Sequence, residues 1–257
     1  MDTINAKGYL LDMDGVFYVG GKLLDGARSC LRELQKRDIP FRFVTNTTTK
    51  TKVELMEKLE GLGLPVEASC LFTAVSATKR FLESRGSPSL HLLVRDTVKK
   101  EFSRFELDAD TPDYVVIGDI GANWDYETLN DVFNMLMRGS KLLCMHRNKF
   151  WQDENGLRMD IGAFVAALEH VSDQKATVVG KPTSSFFQQA VGSMELEVDQ
   201  VAMVGDDIEA DVGGAQSSGL QGVLVKTGKY RPELVSRSSV RPDFVLDSIA
   251  QLPDRLG

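Results

Sequence analysis

Cysteine is scarce in this chain of 257 residues. Cys30, Cys70 and Cys144 are the only three, an odd number without C-x-x-C spacing. That excludes a disulfide framework and a cysteine-built zinc site, and it points to reduced thiols in a cytoplasmic protein. Histidine is equally thin: His91, His146 and His170 stand too far apart to make a recognisable ligand set. No apolar run reaches the roughly 18–20 residues that a membrane-crossing helix needs, and the opening residues pass directly into an apolar strand. Neither an export leader nor a membrane partner is expected. Positive charge is in deficit, with 30 Lys and Arg against 37 Asp and Glu, a net charge of -7. That balance excludes a general nucleic-acid partner, which would need a basic face. A small phosphorylated substrate stays compatible with it, because a bound divalent cation reverses the local field.

What is present is an ordinary globular composition, 42% hydrophobic and 26% charged, with enough length for a large core. Gly8-Tyr9-Leu10-Leu11-Asp12-Met13-Asp14-Gly15-Val16 is the most informative stretch. Its apolar run lacks polar alternation, as in a parallel strand buried on both faces, and ligands gather beyond the carboxyl ends of such strands. Asp12 and Asp14 repel if both are ionised, so the pair makes chemical sense when one keeps a proton or a cation lies between them. On its own the stretch also fits a plain turn, with Asp capping the backbone and Gly supplying positive φ.

The double glycine Gly20-Gly21 predicts a tight hairpin or flap beside this strand. A helix is expected from Asp25 or Gly26 to Arg37, a strand over 41–44 ending in Thr45-Asn46, and a helix from about Lys50 to Gly61. A second αβ series then runs from about Thr73 to Thr177: strands at 90–94, 114–117 and 142–145, with helices at 128–137 and 161–170. The pattern of the first part resumes with 177–179, which ends in Gly180-Lys181-Pro182, and 201–204, which ends in Gly205-Asp206-Asp207. A helix over 208–218, strands at 222–225 and 244–246, and a short terminal helix close the chain. Gly118-Asp119-Ile120-Gly121 lacks a full dinucleotide fingerprint and is expected to be a turn. The fold class that follows is α/β: a Rossmann-like parallel-sheet core formed by residues 1–75 and 178–257, interrupted by an inserted α/β cap domain over 76–177.

Apolar runs therefore end in Asp12/Asp14, Thr45/Asn46, Lys181 and Asp206/Asp207. If the strands share one sheet, these groups ring a single crevice with the parts that phosphoryl transfer needs. They supply a carboxylate to attack, a carboxyl to carry protons, hydroxyl and amide groups to hold phosphate oxygens, and a lysine and a cation to offset charge.

The four stretches, in this order and with Asp211 following the last, resemble the motifs of haloacid dehalogenase superfamily phosphatases; the position of the insertion resembles the αβ-capped subgroup. The resemblance implies that Asp12 is the nucleophile and carries a transient aspartyl phosphate, and that Asp14 is the general acid and base. It implies that Thr45, Asn46 and Lys181 bind the substrate phosphate. Mg²⁺ would be held by Asp12, the main-chain carbonyl of Asp14, and Asp206, with Asp207 and Asp211 as outer carboxylates. An acid at position 14 favours hydrolysis of a phosphate ester over dehalogenation. His146 to Lys149 could face the crevice, and Arg158 to Phe164 could form a substrate-selecting loop of the cap. The expected activity is hydrolysis of a small phosphomonoester, or of a P–N or P–O–P bond. The resemblance also implies a homodimer formed through the cap. The rival expectation is a non-catalytic binding or scaffold protein that keeps the same fold.

Overall fold

In a computed structural model, which describes residues 3–107, 109–153 and 156–257, the chain builds two parallel sheets. The larger has six strands in the order Phe244–Leu246, Gln221–Val225, Val201–Gly205, Gly8–Asp12, Phe41–Thr45, Leu71–Thr73. All neighbours are parallel, and strand Gly8–Asp12 lies between Val201–Gly205 and Phe41–Thr45. It is buried throughout, as its uninterrupted apolar sequence requires. The switch in strand order on either side of it puts Asp12 where open α/β sheets place their ligands.

The smaller sheet has four parallel strands in the order Thr177–Val178, Lys141–Cys144, Tyr114–Ile117, Leu90–Leu93. This corrects the expectation that Thr177–Val178 belongs to the outer sheet. The strand pairs with Lys141–Cys144, and its extension continues the ladder, Val179 N donating to Cys144 O (3.1 Å) and Gly180 N to Met145 O (2.8 Å). So short a run of β-branched residues suits either sheet, and sequence pattern holds nothing that decides between them.

Other expected elements form close to their predicted bounds: helices Ala27–Lys36, Lys52–Gly61, Tyr126–Met137 and Gly162–Ser172, and the flap as an antiparallel hairpin of Tyr18–Val19 with Lys22–Leu23. The helix expected over 208–218 begins instead as a π-helix, Ile208–Gly213, followed by a single α-turn, Gly214–Ser217. Val212 N reaches back five residues to Asp207 O (3.2 Å), which widens this first turn. The terminal helix is reduced to the 3₁₀ turns Ile249–Gln251 and Pro253–Arg255, since Pro253 cannot donate inside a helix. Strand Leu71–Thr73, helices Ala74–Glu83, Ser184–Gly192 and Pro232–Arg237, and the antiparallel hairpin of Phe150–Asp153 with Gly156–Met159 were not anticipated. No helix among the described residues is long and apolar enough to cross a membrane.

One apolar cluster fills one side of the large sheet and continues into the small one. It joins Leu10, Val44 and Phe72 to Leu92, Val116 and Leu143 through helices Ala74–Glu83 and Ser184–Gly192. A second cluster lies on the opposite face of the large sheet, under Ala27–Lys36 and Lys52–Gly61. At its centre the fully buried Phe43 ring meets Phe17 edge-on at 4.8 Å and Phe41 at 5.7 Å. Phe43→Ala removes both contacts and leaves a cavity, so it should lower stability by about 3–5 kcal/mol in chemical denaturation. A loss under about 1 kcal/mol would show that this face repacks freely.

Candidate active site

Asp12 is the last residue of its strand. After it the chain turns sharply: Phe17 N donates to Met13 O (2.9 Å) and Gly15 N to Tyr18 O (2.7 Å), which leaves the Asp14 carboxyl facing open space just beyond Asp12. Thr45 ends the neighbouring strand, and its hydroxyl accepts from Thr47 N (3.0 Å) and donates to Thr47 Oγ1 (2.9 Å). Asn46 holds the main chain of Lys181 from both sides. Its Oδ1 accepts from Lys181 N (2.9 Å) and its Nδ2 donates to Lys181 O (3.0 Å).

Held in this way, Lys181 is buried and puts Nζ 2.5 Å from Asp12 Oδ1 and 2.7 Å from Asp211 Oδ1. Burial works against its charge, but Asp12 and Asp211 outweigh that effect and keep the ammonium form above the ordinary lysine range. Asp211 comes off the widened π-turn, with Oδ2 accepting from Asp207 N (3.2 Å). Asp207 caps the same turn, its Oδ1 accepting from Glu209 N (3.1 Å) and Ala210 N (3.0 Å).

Asp206 follows strand Val201–Gly205, directly beside Asp12's strand. Its Oδ2 accepts from Lys229 N (2.7 Å), while its buried Oδ1 has no hydrogen-bond partner among the described residues. Gly15 and Gly228, both at positive φ, press against this carboxylate: a Cβ on either would lie 1.8 or 2.0 Å from Asp206 Oδ2. Burial, then Asp12 and Asp211, raises Asp206 well above the usual carboxylate range; burial also raises Asp211, against the pull of Lys181. One ligand atom each from Asp12, Asp206 and Asp211 lies within 4.8 Å of the others. A buried, unsatisfied carboxylate oxygen among acids that resist ionisation together is the donor set of a hard divalent cation.

Asp12, Asp14, Thr45, Asn46, Lys181 and Asp206 all line one cavity of about 320 Å³. Although the Asp14 carboxyl opens onto the cavity, the protein around it displaces enough water to raise it above its usual range, opposed by Lys58 and Lys229. The far wall comes from the segment that holds the small sheet, with Asp119, His146, Asn148 and Asp160 among its residues. His146 and Asn148 thus face the crevice as expected, whereas Arg147 turns away to pair with Glu169 (2.5 Å) and Lys149 is exposed. Gly118 to Gly121 forms the expected turn, closed by Gly121 N donating to Asp119 Oδ1 (2.7 Å).

Two family models match the chain, the haloacid dehalogenase-like hydrolase over residues 9–108 and the HAD-hydrolase-like family over 178–252. Phospholysine phosphohistidine inorganic pyrophosphate phosphatase of Danio rerio is 37% identical over 98% of this chain and 94% of its own length. Haloacid dehalogenase-like hydrolase domain-containing protein 2 of Homo sapiens is 34% identical over 97% and 95%. The chain belongs to the haloacid dehalogenase-like hydrolases. Among solved structures, 4-nitrophenylphosphatase from Thermotoga maritima superposes with a TM-score of 0.91 at 28% identity, covering 98% of each chain. Another member of the fold, p-nitrophenyl phosphatase from Archaeoglobus fulgidus, gives 0.91 at 25% identity over 98% of this chain and all of its own.

In this haloacid dehalogenase-like hydrolase the motif reading missed Lys229. Its Nζ lies 3.6 Å from Asp207 Oδ2, and Asp207, Asp206 and Asp12 together outweigh the burial that opposes its charge. The signal was present in sequence, since Thr227-Gly228-Lys229 follows strand Gln221–Val225 just as the other polar ends follow theirs. Tyr18 and Lys58, which also line the cavity, carry no such signal.

His146 is driven down to about 3 by burial, with Lys229 and Lys181 adding to it, so it stays neutral beside Asp160, 3.8 Å away. Asp160 is itself pushed up to about 6 by burial, against the hydrogen bond its Oδ1 accepts from Ile161 N (2.7 Å). The folded protein therefore keeps this proton up to about pH 6, while the unfolded chain releases it near 3.8, and Asp160 lowers stability as pH rises through that window. Asp160→Asn, which cannot ionise, should be more stable than wild type by an amount that grows between about pH 4 and 6 and levels off at roughly 1–3 kcal/mol. Denaturation across that range checks it; a difference independent of pH would show that the carboxyl is not desolvated.

Proposed function

We propose that this chain is a Mg²⁺-dependent phosphatase acting on a small phosphomonoester, or on a P–N or P–O–P bond, through an aspartyl-phosphate intermediate. The observation that carries the proposal is the pairing of Asp12 with the buried Lys181 in the same cavity that the Asp14 carboxyl lines. An Asp12 oxygen attacks phosphorus, the bond from phosphorus to the leaving atom breaks, and Asp14 passes its proton to that atom. Asp14, now ionised, takes a proton from water as the water oxygen attacks the phosphorus and the bond to Asp12 opens, releasing inorganic phosphate. Lys181 offsets the repulsion between the Asp12 carboxylate and the incoming phosphate, and Thr45 offers its hydroxyl to a phosphate oxygen. Asn46 acts on the substrate through Lys181, whose backbone it fixes.

Asp12, Asp206 and the main-chain carbonyl of Asp14 would hold Mg²⁺, which when bound stabilises negative charge on the phosphoryl oxygens. The unsatisfied Asp206 Oδ1 supports that assignment. The segment from residue 76 through the strand Thr177–Val178 acts as a cap on a core formed by the rest of the chain, excluding water and selecting the leaving group. Three of the four proteins named above are phosphatases by name, one of them for phospholysine, phosphohistidine and pyrophosphate, which keeps P–N and P–O–P bonds among the candidates.

Phosphate release from an aryl phosphate should require Mg²⁺, stop on adding EDTA and return with excess Mg²⁺. Asp12→Asn should abolish release, and Asp14→Asn should lower kcat about 10²–10⁴-fold. Both variants should keep the wild-type circular dichroism spectrum. Full activity in EDTA, or in Asp12→Asn, would overturn the proposal.

A further inference from the structure

Two of the cations that line the cavity are matched by carboxylates: Lys181, which the proposed chemistry uses, by Asp12 and Asp211, and Lys229 by Asp207. Lys50, Lys58 and Arg95 line it too, and none of them forms an ion pair among the described residues. Lys58 is the most constrained. Helix Lys52–Gly61 buries Leu55 and Leu59, and half-buried Lys58 extends over Tyr18, its Nζ 3.8 Å from the ring centroid. Burial lowers the Lys58 pKa, Lys50 adds repulsion, and Asp14 offsets only part of this.

Local acids answer these charges only in part, Glu54 feeling Lys50 and Arg95 across solvent and Asp14 feeling Lys58. Glu54, one turn earlier on the same helix, spends its carboxylate on the helix cap, Oε2 accepting from Thr51 N (2.6 Å). Asp119 and Asp160 each take a backbone N–H of their own turn, from Gly121 and Ile161 (both 2.7 Å). Lys58, half-buried and without an ion pair among the described residues, shares the cavity wall with Lys50 and Arg95, and an anion that enters the cavity meets this unmatched positive charge. Tyr18 bridges to Asp14 through the backbone and Lys58 stands over the Tyr18 ring, so Lys58 lies on the Asp14 side of the cavity, where the acid meets the leaving atom. The subsite therefore meets the leaving part of the substrate and not the transferred phosphoryl group.

Resting on the phosphatase proposal, we infer that Lys50, Lys58 and Arg95 form a second anion subsite, and that this enzyme prefers phosphate esters whose leaving part carries a carboxylate or a second phosphate. The probes are 3-phosphoglycerate and glycerol 3-phosphate, which share the ester and the chain length and differ by a carboxylate in place of a hydroxymethyl group. Wild type should favour the first in kcat/KM by about tenfold or more, the worth of one hydrogen bond to a charged group. Lys58→Met should cut that ratio about tenfold, Lys58→Arg should retain most of it, and Arg95→Gln should move it in the direction of Lys58→Met. A wild-type ratio near one overturns the inference. So does a ratio unmoved by Lys58→Met, whether both rates hold or both fall together, the latter assigning Lys58 to tuning Asp14 alone. An aryl phosphate run alongside separates the levels: its turnover upholds the phosphatase proposal whatever the ratio, and failure of all three substrates removes both.

Discussion

Everything in this site hangs on a buried ammonium group. Lys181 Nζ sits between Asp12 and Asp211 with almost no access to solvent, and each of the three would be costly to bury alone. The pairing fixes where the first strand must end, where the π-turn must aim and how far the Lys181 loop must reach. It does not balance the charge, however. Asp206 adds a third carboxylate to one lysine, and its buried oxygen without a donor leaves the centre short of positive charge. A folded state of this kind carries an electrostatic cost in its own carboxylates, which a cation held among them would relieve.

The two sheets divide the work. The large one places Asp12, Thr45 and Asp206 at the ends of strands locked in register by continuous burial, so these groups have little freedom to drift. The small one brings the opposite wall, and it also delivers Lys181, since Thr177–Val178 is part of its ladder. The central lysine thus belongs by pairing to one sheet and by function to the other. The Asn46 clasp on its backbone is what joins them at that point.

Much of this was legible in the sequence because two patterns agree. Uninterrupted apolar runs announce buried parallel strands, and the polar residues at their ends announce a shared edge, so Asp12, Asp14, Thr45, Asn46, Lys181 and Asp206 could be set around one crevice before any coordinate was known. What failed depends on contacts distant in the chain. Nothing in Thr177–Val178 says which sheet it will join, because both sheets offer the same kind of edge. The π-turn at Ile208–Gly213 keeps an apolar pattern that suits an ordinary helix, and only the approach of Asp211 to Lys181 shows why it is wider. Lys58 sits on a helix face where a lysine is normally solvated, and its inward position is a property of the Tyr18 hairpin. The glycines at 15 and 228 read as turn residues, whereas in space they make room for one carboxylate from two sides.

That last arrangement bears on how the chain acquires its chemistry during synthesis. Gly15 and Thr227 are linked by a hydrogen bond across 212 residues, and Asp12 and Lys181 meet across 169. A nascent chain that has emerged only as far as the small sheet holds Asp12, Asp14 and Gly15 without Lys181, Asp206 or Gly228. The loop-closure entropy of these distant contacts falls on the last segment to leave the ribosome. The partners of these carboxylates therefore arrive late and together, so an unfinished chain carries the strand that bears Asp12 without the lysine that pairs with it.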